Sequence, residues 1–404
     1  MLNEEKLNVA VVISSDLHSG GGYQYEYMVL NILRKYQNHF INFSFYTMNN
    51  KVIADYKELN IPIKLIKETF LNKIKRILLS NIFFHKRILS KMGIKISSIE
   101  KIFLKDNNDI VYFISPNNMC NSLVNIPYVF TVWDLEHLRS MEFPEVSYER
   151  VFEQRELLYS ESLKKAYSVI VDSDYGKLFA IEKYNLDKKR ITVLKYLPNV
   201  RLSNDNEYID IKSKYNIKND YIFYPAQFWA HKNHIYILKA IKILKEEKGV
   251  NIDVIFSGSN KGNLEYILNK AKKYKIDNLI HYIGFAPNEE IPYLYKQSLS
   301  LVMPTYLGPT NIPPLEAFAY ETTVCYSDTP FFKEQVGNAV FWMDLNNPFS
   351  LVENILEIKN NKQLVNKKIN LGKKILINWN EEDFYKKLIK IFTEYQYIRS
   401  CWGK

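Results

Sequence analysis

The stretch Tyr306-Leu307-Gly308-Pro309-Thr310-Asn311-Ile312-Pro313-Pro314-Leu315-Glu316-Ala317 joins an apolar run at 299–303, of the kind that forms a buried parallel strand, to a helix continuing through 315–319. Pro313 or Pro314 suits a first helical position, where the missing N–H costs nothing. A strand, a turn and a helix start thus meet here. The unpaired N–H groups and positive dipole end of a helix start favour an anion. Glu316, in the first turn, puts a carboxylate beside that anion, a sensible choice if it accepts hydrogen bonds from hydroxyls. A ligand with both phosphate and vicinal hydroxyls, such as a nucleotide sugar, satisfies both demands. The plainer alternative is that Glu316 complements the helix dipole and the prolines shape a loop.

Outward from this stretch, strands and helices alternate along the whole chain. In the second half, strands are expected at 221–226, 253–256, 279–283, 299–303 and 323–326, with a helix from 234 to about 247. In the first half they are expected at 7–13, 41–46, 63–66, 110–114, 128–132, 168–172 and 191–194, with helices at 23–36 and 145–164 and another opening at Ser173. Residues 198–219 read as a polar, irregular linker, and 381–398 as a closing amphipathic helix. Two successive βαβ series mean two doubly wound α/β domains, and 404 residues suit two domains of about 200 each. The triple glycine Gly20-Gly21-Gly22 after the first strand lets a ligand approach the backbone, although it lacks the spacing of a dinucleotide fingerprint. Asp134 and His137 follow the strand at 128–132, where open α/β sheets hold their ligands, and are candidates for substrate contact.

The net charge of +10 points to an anionic partner. It is concentrated in 72–105, where nine Lys or Arg face one acid, Glu100, and are interleaved with apolar residues. That segment fits a basic amphipathic helix at an anionic membrane surface, and equally a core-facing helix with a solvated basic face. No apolar run reaches the length that spans a bilayer, and the residues before the first strand have no signal-peptide pattern. Cys120, Cys325 and Cys401 are widely spaced and odd in number, which fits a reduced compartment and excludes a disulfide framework or a cysteine zinc site. His231 and His234 are three apart but lack evident partner ligands, so no metal site is expected. The expected location is the cytoplasm, peripheral to the inner face of the membrane.

With these motifs in order, the chain resembles glycosyltransferases of the GT-B fold, an α/β architecture of two Rossmann-like doubly wound domains facing a central cleft. The motifs resemble family 4, the retaining group-1 enzymes. Residues 224–234, Tyr-Pro-Ala-Gln-Phe-Trp-Ala-His-Lys-Asn-His, resemble the first strand and loop of that family's donor domain. Residues 132–138, Val-Trp-Asp-Leu-Glu-His-Leu, resemble its acceptor-domain loop, and Ser257-Gly258-Ser259 and Ile283-Gly284-Phe285 its nucleotide-contacting turns. The resemblance implies an acceptor-binding domain over 1–200, a donor-binding domain over 201–380 and a closing helix over 381–404 that packs against one or both.

The resemblance also assigns roles. Lys232 matches the lysine that neutralises the donor diphosphate, a point charge suited to a departing anion. Glu316 matches the glutamate that accepts from the ribose hydroxyls. Thr310, Asn311 and Ile312 match a loop whose backbone amides approach phosphate and sugar, Gly284 and Phe285 the turn near the base, and Gly21 and Gly22 the loop that approaches the diphosphate. The chain departs from the family at three positions: Gly308 stands where a first glutamate is usual, Gln227 where an arginine is usual, and Trp133 where a histidine is usual, leaving His137 as the nearest imidazole. The implied activity is transfer of a sugar from a nucleotide-diphosphate donor to a hydroxyl acceptor, a glycan or a lipid-linked one, in surface polysaccharide or glycoconjugate synthesis. It implies a retaining, metal-independent hexosyltransferase with no cofactor beyond the donor and no nucleic-acid partner. The alternatives are an epimerase or phosphorylase on the same fold, or an inactive nucleotide- or membrane-binding module.

Overall fold

A computed structural model describes residues 6–36, 38–80, 91, 93, 95–200, 208–308 and 310–403. The expectations for 81–90 in the basic segment, for 201–207 in the linker and for Pro309 fall outside these residues. The chain divides into two compact units. One comprises residues up to Leu135, then Glu149–Lys195, then Glu381 onward; the other comprises Glu136–Tyr148 and Tyr196–Asn380.

The first unit is built on seven strands: β1 (Leu7–Ile13), β2 (Ile41–Thr47), β3 (Ile63–Leu65), β4 (Ile110–Phe113), β5 (Tyr128–Thr131), β6 (Ser168–Val171) and β7 (Ile191–Val193). Their order across the sheet is β3-β2-β1-β4-β5-β6-β7. All pairs are parallel, with Leu7 opposite Ile41 and Val9 opposite Ile110. Such a sheet carries helices on both faces, so its strands read as continuous apolar runs; Ile110-Val111-Tyr112-Phe113 is buried at every position. The second unit repeats the plan with β8 (Tyr221–Pro225), β9 (Asp253–Ser257), β10 (Ile280–Tyr282), β11 (Ser300–Met303), β12 (Val324–Ser327) and β13 (Phe341–Met343), ordered β10-β9-β8-β11-β12-β13 and again parallel. In each sheet the order reverses beside the first strand, between β1 and β4 and between β8 and β11. Ligands of open α/β sheets bind at the carboxyl ends of strands at such a point.

Several expectations change. β13 is additional to the strands read from sequence; it is only three residues long, and Trp342 within it is part-exposed, so it leaves no long apolar run. The helix expected at 145–164 is two helices, Pro144–Ser147 and Val151–Lys165, separated by Glu149 and Arg150 in left-handed backbone conformations. The break lies where the chain passes from the second unit back into the first. Residues 208–219 are not an irregular linker: helix Ile211–Lys214 is tied to the second unit by Gln297, whose side chain accepts from Ile211 N–H at 3.0 Å and donates to Ile209 C=O at 2.7 Å. The described part of the basic segment forms two helices, Phe70–Leu79 and Ser98–Lys105, rather than one. The second faces the core through Ile99 and Phe103, and its buried Glu100 accepts from the successive N–H groups of Val124, Asn125 and Ile126. The closing helix, Glu381–Arg399, belongs to the first unit, where Phe392 meets Tyr112 and Tyr395 donates to Asp109 C=O.

The helix that follows the 306–311 turn, Ile312–Ala319, is seated by helix Lys362–Ile377. A Cβ on Gly372 would lie 2.5 Å from Phe318 Cδ1, so this crossing admits only glycine. We expect Gly372→Ala to destabilise the second unit by about 1–3 kcal/mol despite its better helix propensity. The cost should shrink in a Phe318→Leu background, as urea unfolding of the two single variants and the double variant would show.

Candidate functional site

In the second unit, the loops leaving β8 and β11 meet at the reversal point. Beyond β8 the chain runs through Gln227 and Trp229 into a short turn, Ala230–Lys232, before helix His234–Lys248. Asn233, left-handed at φ 54°, makes the corner. The loop is held from below by its aromatic residues. Phe228 stacks on the buried His234 ring at 4.2 Å between centroids, and Phe256 and Tyr224 close around the same ring. Burial, with Lys232 nearby, pushes the His234 imidazole down to about 3, so it packs among these rings in its neutral form. The Tyr224 hydroxyl donates to Lys232 C=O at 2.9 Å, tying the turn to its own strand.

Lys232 Nζ reaches Asn311 Oδ1 at 3.4 Å, joining the β8 loop to the β11 loop. Asn311 is itself locked: its amide group donates to Tyr326 at 2.7 Å, its N–H donates to Gln335 Oε1 at 3.2 Å, and its C=O accepts from Gln335 Nε2 at 2.6 Å. Its own N–H is therefore engaged within the fold, and its side chain is what meets Lys232. The helix begins at Ile312, with Pro313 and Pro314 following in the first turn. Glu316 Oε2 accepts from the hydroxyl of the fully buried Tyr295 at 2.8 Å, which fixes the carboxylate's direction. Gly308 adopts φ +103°, a conformation L side chains rarely take, so at this turn glycine answers to the backbone.

Gly258 and Gly284 come together through a 2.8 Å hydrogen bond, and Phe228 N–H bonds Ser259 C=O, so these turns flank the β8 loop and Gln227. Gly258 has no alternative: a Cβ there would lie 2.4 Å from the Ala226 carbonyl oxygen. Phe285, next to Gly284, is about half exposed, while Gln227 accepts from Trp229 Nε1 at 3.0 Å.

The remaining predicted residues are distributed over both units. Gly21 and Gly22 begin helix Gly21–Lys35 in the first unit. Open space surrounds Gly21, whereas the Trp133 ring occupies the place of a Gly22 side chain, so the glycine turn and Trp133 fit one another. Asp134, also in the first unit, is ion-paired with Arg155, which additionally donates to Asp134 C=O at 2.9 Å. His137 is buried in the turn Glu136–Leu138 and belongs to the second unit.

Sequence reasoning missed the residue that organises this part of the second unit. Glu145 accepts from His231 N–H at 2.8 Å and pairs with the His231 ring through the same oxygen. Phe143 packs against His231 and Tyr306, and Tyr306 N–H donates to His231 C=O at 3.0 Å. His231 is thus held on both sides, one residue before Lys232. No local signal marks Glu145, because its partner lies 86 residues away.

Residues 205–375 match the family model described as glycosyl transferases group 1. The second unit thus resembles group 1 glycosyltransferases. The chain is 26% identical over 204 residues to O-antigen chain mannosyltransferase B of Escherichia coli, covering 49% of this chain and 52% of that one. It is 24% identical over 239 residues to O-antigen chain mannosyltransferase RfbU of Salmonella typhimurium, covering 58% and 63%. The chain thus matches between half and two thirds of the length of these relatives. Among solved structures, Anabaena Alr3699/HepE in complex with UDP-glucose superimposes with a TM-score of 0.71 at 11% identity, covering 96% of this chain and all of that one. The fold is the GT-B fold expected from the sequence.

In the second unit, burial would raise the Glu145 carboxyl, but the side-chain and main-chain hydrogen bonds from His231 outweigh it and hold the group below its ordinary value of 4.5. A depressed carboxyl contributes stability above its unfolded value and loses it as pH falls through the folded one. Unfolding of the second unit should therefore become easier as pH drops below about 4.5. Glu145→Ala should cost about 1–3 kcal/mol at neutral pH, by leaving His231 N–H without its acceptor, and should flatten that acid limb in chemical denaturation.

Proposed function

We propose that this protein is a retaining glycosyltransferase of family 4 that moves a hexosyl group from a nucleotide-diphosphate donor to a hydroxyl acceptor in the assembly of a bacterial surface polysaccharide. The observation that carries this reading is the Lys232–Asn311 contact at the reversal point of the second sheet, beside the start of helix Ile312–Ala319. A cation and a helix N-terminus there suit a diphosphate. The resemblance of 224–234 and 306–317 to donor-domain motifs supports it, as do the relatives named as O-antigen mannosyltransferases and the UDP-glucose complex of the Anabaena structure.

In this reading the diphosphate lies against Lys232 and the helix start, and the Glu316 carboxylate, steadied by Tyr295, accepts hydrogen bonds from the ribose hydroxyls. The turns at Gly258 and Gly284, with Phe285, border the base. As the glycosidic bond breaks, negative charge grows on the departing diphosphate, and a preformed cation stabilises that charge more than it stabilises the ground state. Retention follows when the acceptor hydroxyl attacks from the face the diphosphate leaves. Lys232 and the helix start supply the positive charge that a divalent cation gives other transferases, so the reaction is proposed to be metal-independent.

The acceptor is proposed to be a glycan or lipid-linked glycan at an anionic membrane surface. Helix Phe70–Leu79 exposes Phe70, Leu71, Ile74 and Ile77 and carries Lys73 and Lys75, the pattern of a helix lying in a headgroup layer. No helix among the described residues is long and apolar enough to cross a membrane.

Lys232→Ala should lower sugar transfer by about a hundredfold or more with unchanged thermal unfolding; near-normal transfer by that variant would sink the assignment. A thermal-shift screen with uridine, guanosine and thymidine diphosphates should give stabilisation by at least one of them. Silence from all three would favour a protein that binds no nucleotide. Vesicles containing anionic lipid should retain the protein at low salt and release it at high salt, and no retention would remove the membrane from the proposal.

A further inference from the structure

Glu26 sits on helix Gly21–Lys35 and is completely buried beneath the loop that leaves β1. Its carboxylate accepts from Ser14 N–H at 3.0 Å, from Ser15 N–H at 2.8 Å, from the Tyr56 hydroxyl at 3.1 Å and from the Ser115 hydroxyl. All four partners are neutral donors. They arrive from the loop after β1, from the turn that ends helix Asn50–Asp55 beyond β2, and from the loop after β4. One anion thus gathers three loops at the point where the first sheet reverses its strand order. The gathered loops also brace one another: Tyr56 bonds Ser15 C=O at 3.1 Å, and Asn117 donates to the Ser14 hydroxyl at 2.9 Å. The β1 loop then continues into the glycine turn, with Gly20 at φ 65° and Gly22 under the Trp133 ring.

We propose that Glu26 is a positioning residue for the glycine turn of the first unit: its ionised carboxylate draws the loops after β1, β2 and β4 into their ligand-accepting arrangement, and its protonation loosens Ser14 and Ser15. The proposal rests on the reading of the chain as a sugar transferase in which this turn serves the transfer. Burial, only partly offset by the four hydrogen bonds, pushes the carboxyl up from 4.5 to about 7, so the group exchanges its proton in the neutral range. The titratable groups around it are the phenols of Tyr56 and Tyr112, Tyr23 against Tyr56, Asp55, which accepts from Leu17 N–H, and Asp16 in the loop itself. Burial raises both the Tyr56 and Tyr112 phenols, so these stay protonated while Glu26 titrates.

Sugar transfer followed against pH tests this. The wild type should lose activity on the acid side through a limb near pH 7. Glu26→Gln, close in shape but unable to ionise, should show the lower, acid-side rate at every pH and no limb. Ser115→Ala, which removes one donor to the carboxylate, should move the limb to higher pH because the ionised form has lost a hydrogen bond. Stabilisation by nucleoside diphosphate, whose proposed contacts at Lys232 and Glu316 lie in the second unit, should persist in both variants. A limb unchanged in both overturns the proposal, and where Glu26→Gln fails to fold, Ser115→Ala decides alone. If the wild type transfers sugar from no donor, the proposed activity fails and Glu26 is judged separately. The Trp133 fluorescence, taken as the difference from Trp133→Phe, should then change near pH 7, and later in Ser115→Ala. A flat titration overturns the role of Glu26.

Discussion

Parallel pairing throughout both sheets is the constraint on which this structure depends. A parallel strand can return to its neighbour only through a crossover, so helices cover both faces and every strand within a unit ends at the same edge. Where the crossovers change direction, beside β1 and beside β8, the loops diverge and leave a crevice that backbone and side chains can line. The residues argued to bind the donor lie in the loops after β8, β9, β10 and β11 at that edge, and in the helix that follows β11. Glu26 occupies the corresponding place beneath β1 and β4.

The loops between the strands are long, and buried carboxylates and phenols hold them. Glu100 accepts from three successive N–H groups, Glu26 from two and from two hydroxyls, and Glu145 from the main chain and ring of one histidine. Several donors converging on one buried carboxylate give a loop one conformation where apolar packing would leave several. Tyrosines at strand and helix ends act similarly. Tyr224, Tyr295 and Tyr326 keep their rings in the core and put their hydroxyls on Lys232, Glu316 and Asn311. A chain with 30 tyrosines thus uses several of them to set the reach of its polar residues.

Much of this was legible in the sequence. Continuous apolar runs such as Leu7–Ile13 and Tyr221–Pro225 marked buried parallel strands because both faces of such strands are covered. The positions of Lys232, Asn311 and Glu316 near strand ends followed from the same alternation. What was not legible has a common cause. Glu145 and Glu26 act through partners far away in sequence, the helix break at Glu149–Arg150 reflects a passage between units rather than any local breaker, and β13 is too short to show a period. The glycines divide in the same way: Gly258 and Gly372 are dictated by a carbonyl and a ring that only the folded chain brings near.

The sequence by itself determined the class of fold, the two repeated βαβ series and the loops at the strand ends, because hydrophobic period and strand-end position are local properties of the chain. The tertiary structure alone decided which groups in those loops meet. It put Lys232 on Asn311, gave Asn311 N–H to Gln335, and set Trp133 against Gly22. It also assigned 136–148 to the second unit and buried Glu26 among four donors. Each of these depends on contacts between residues distant in sequence, where the geometry of the sheets, and no local preference, brings a donor to an acceptor.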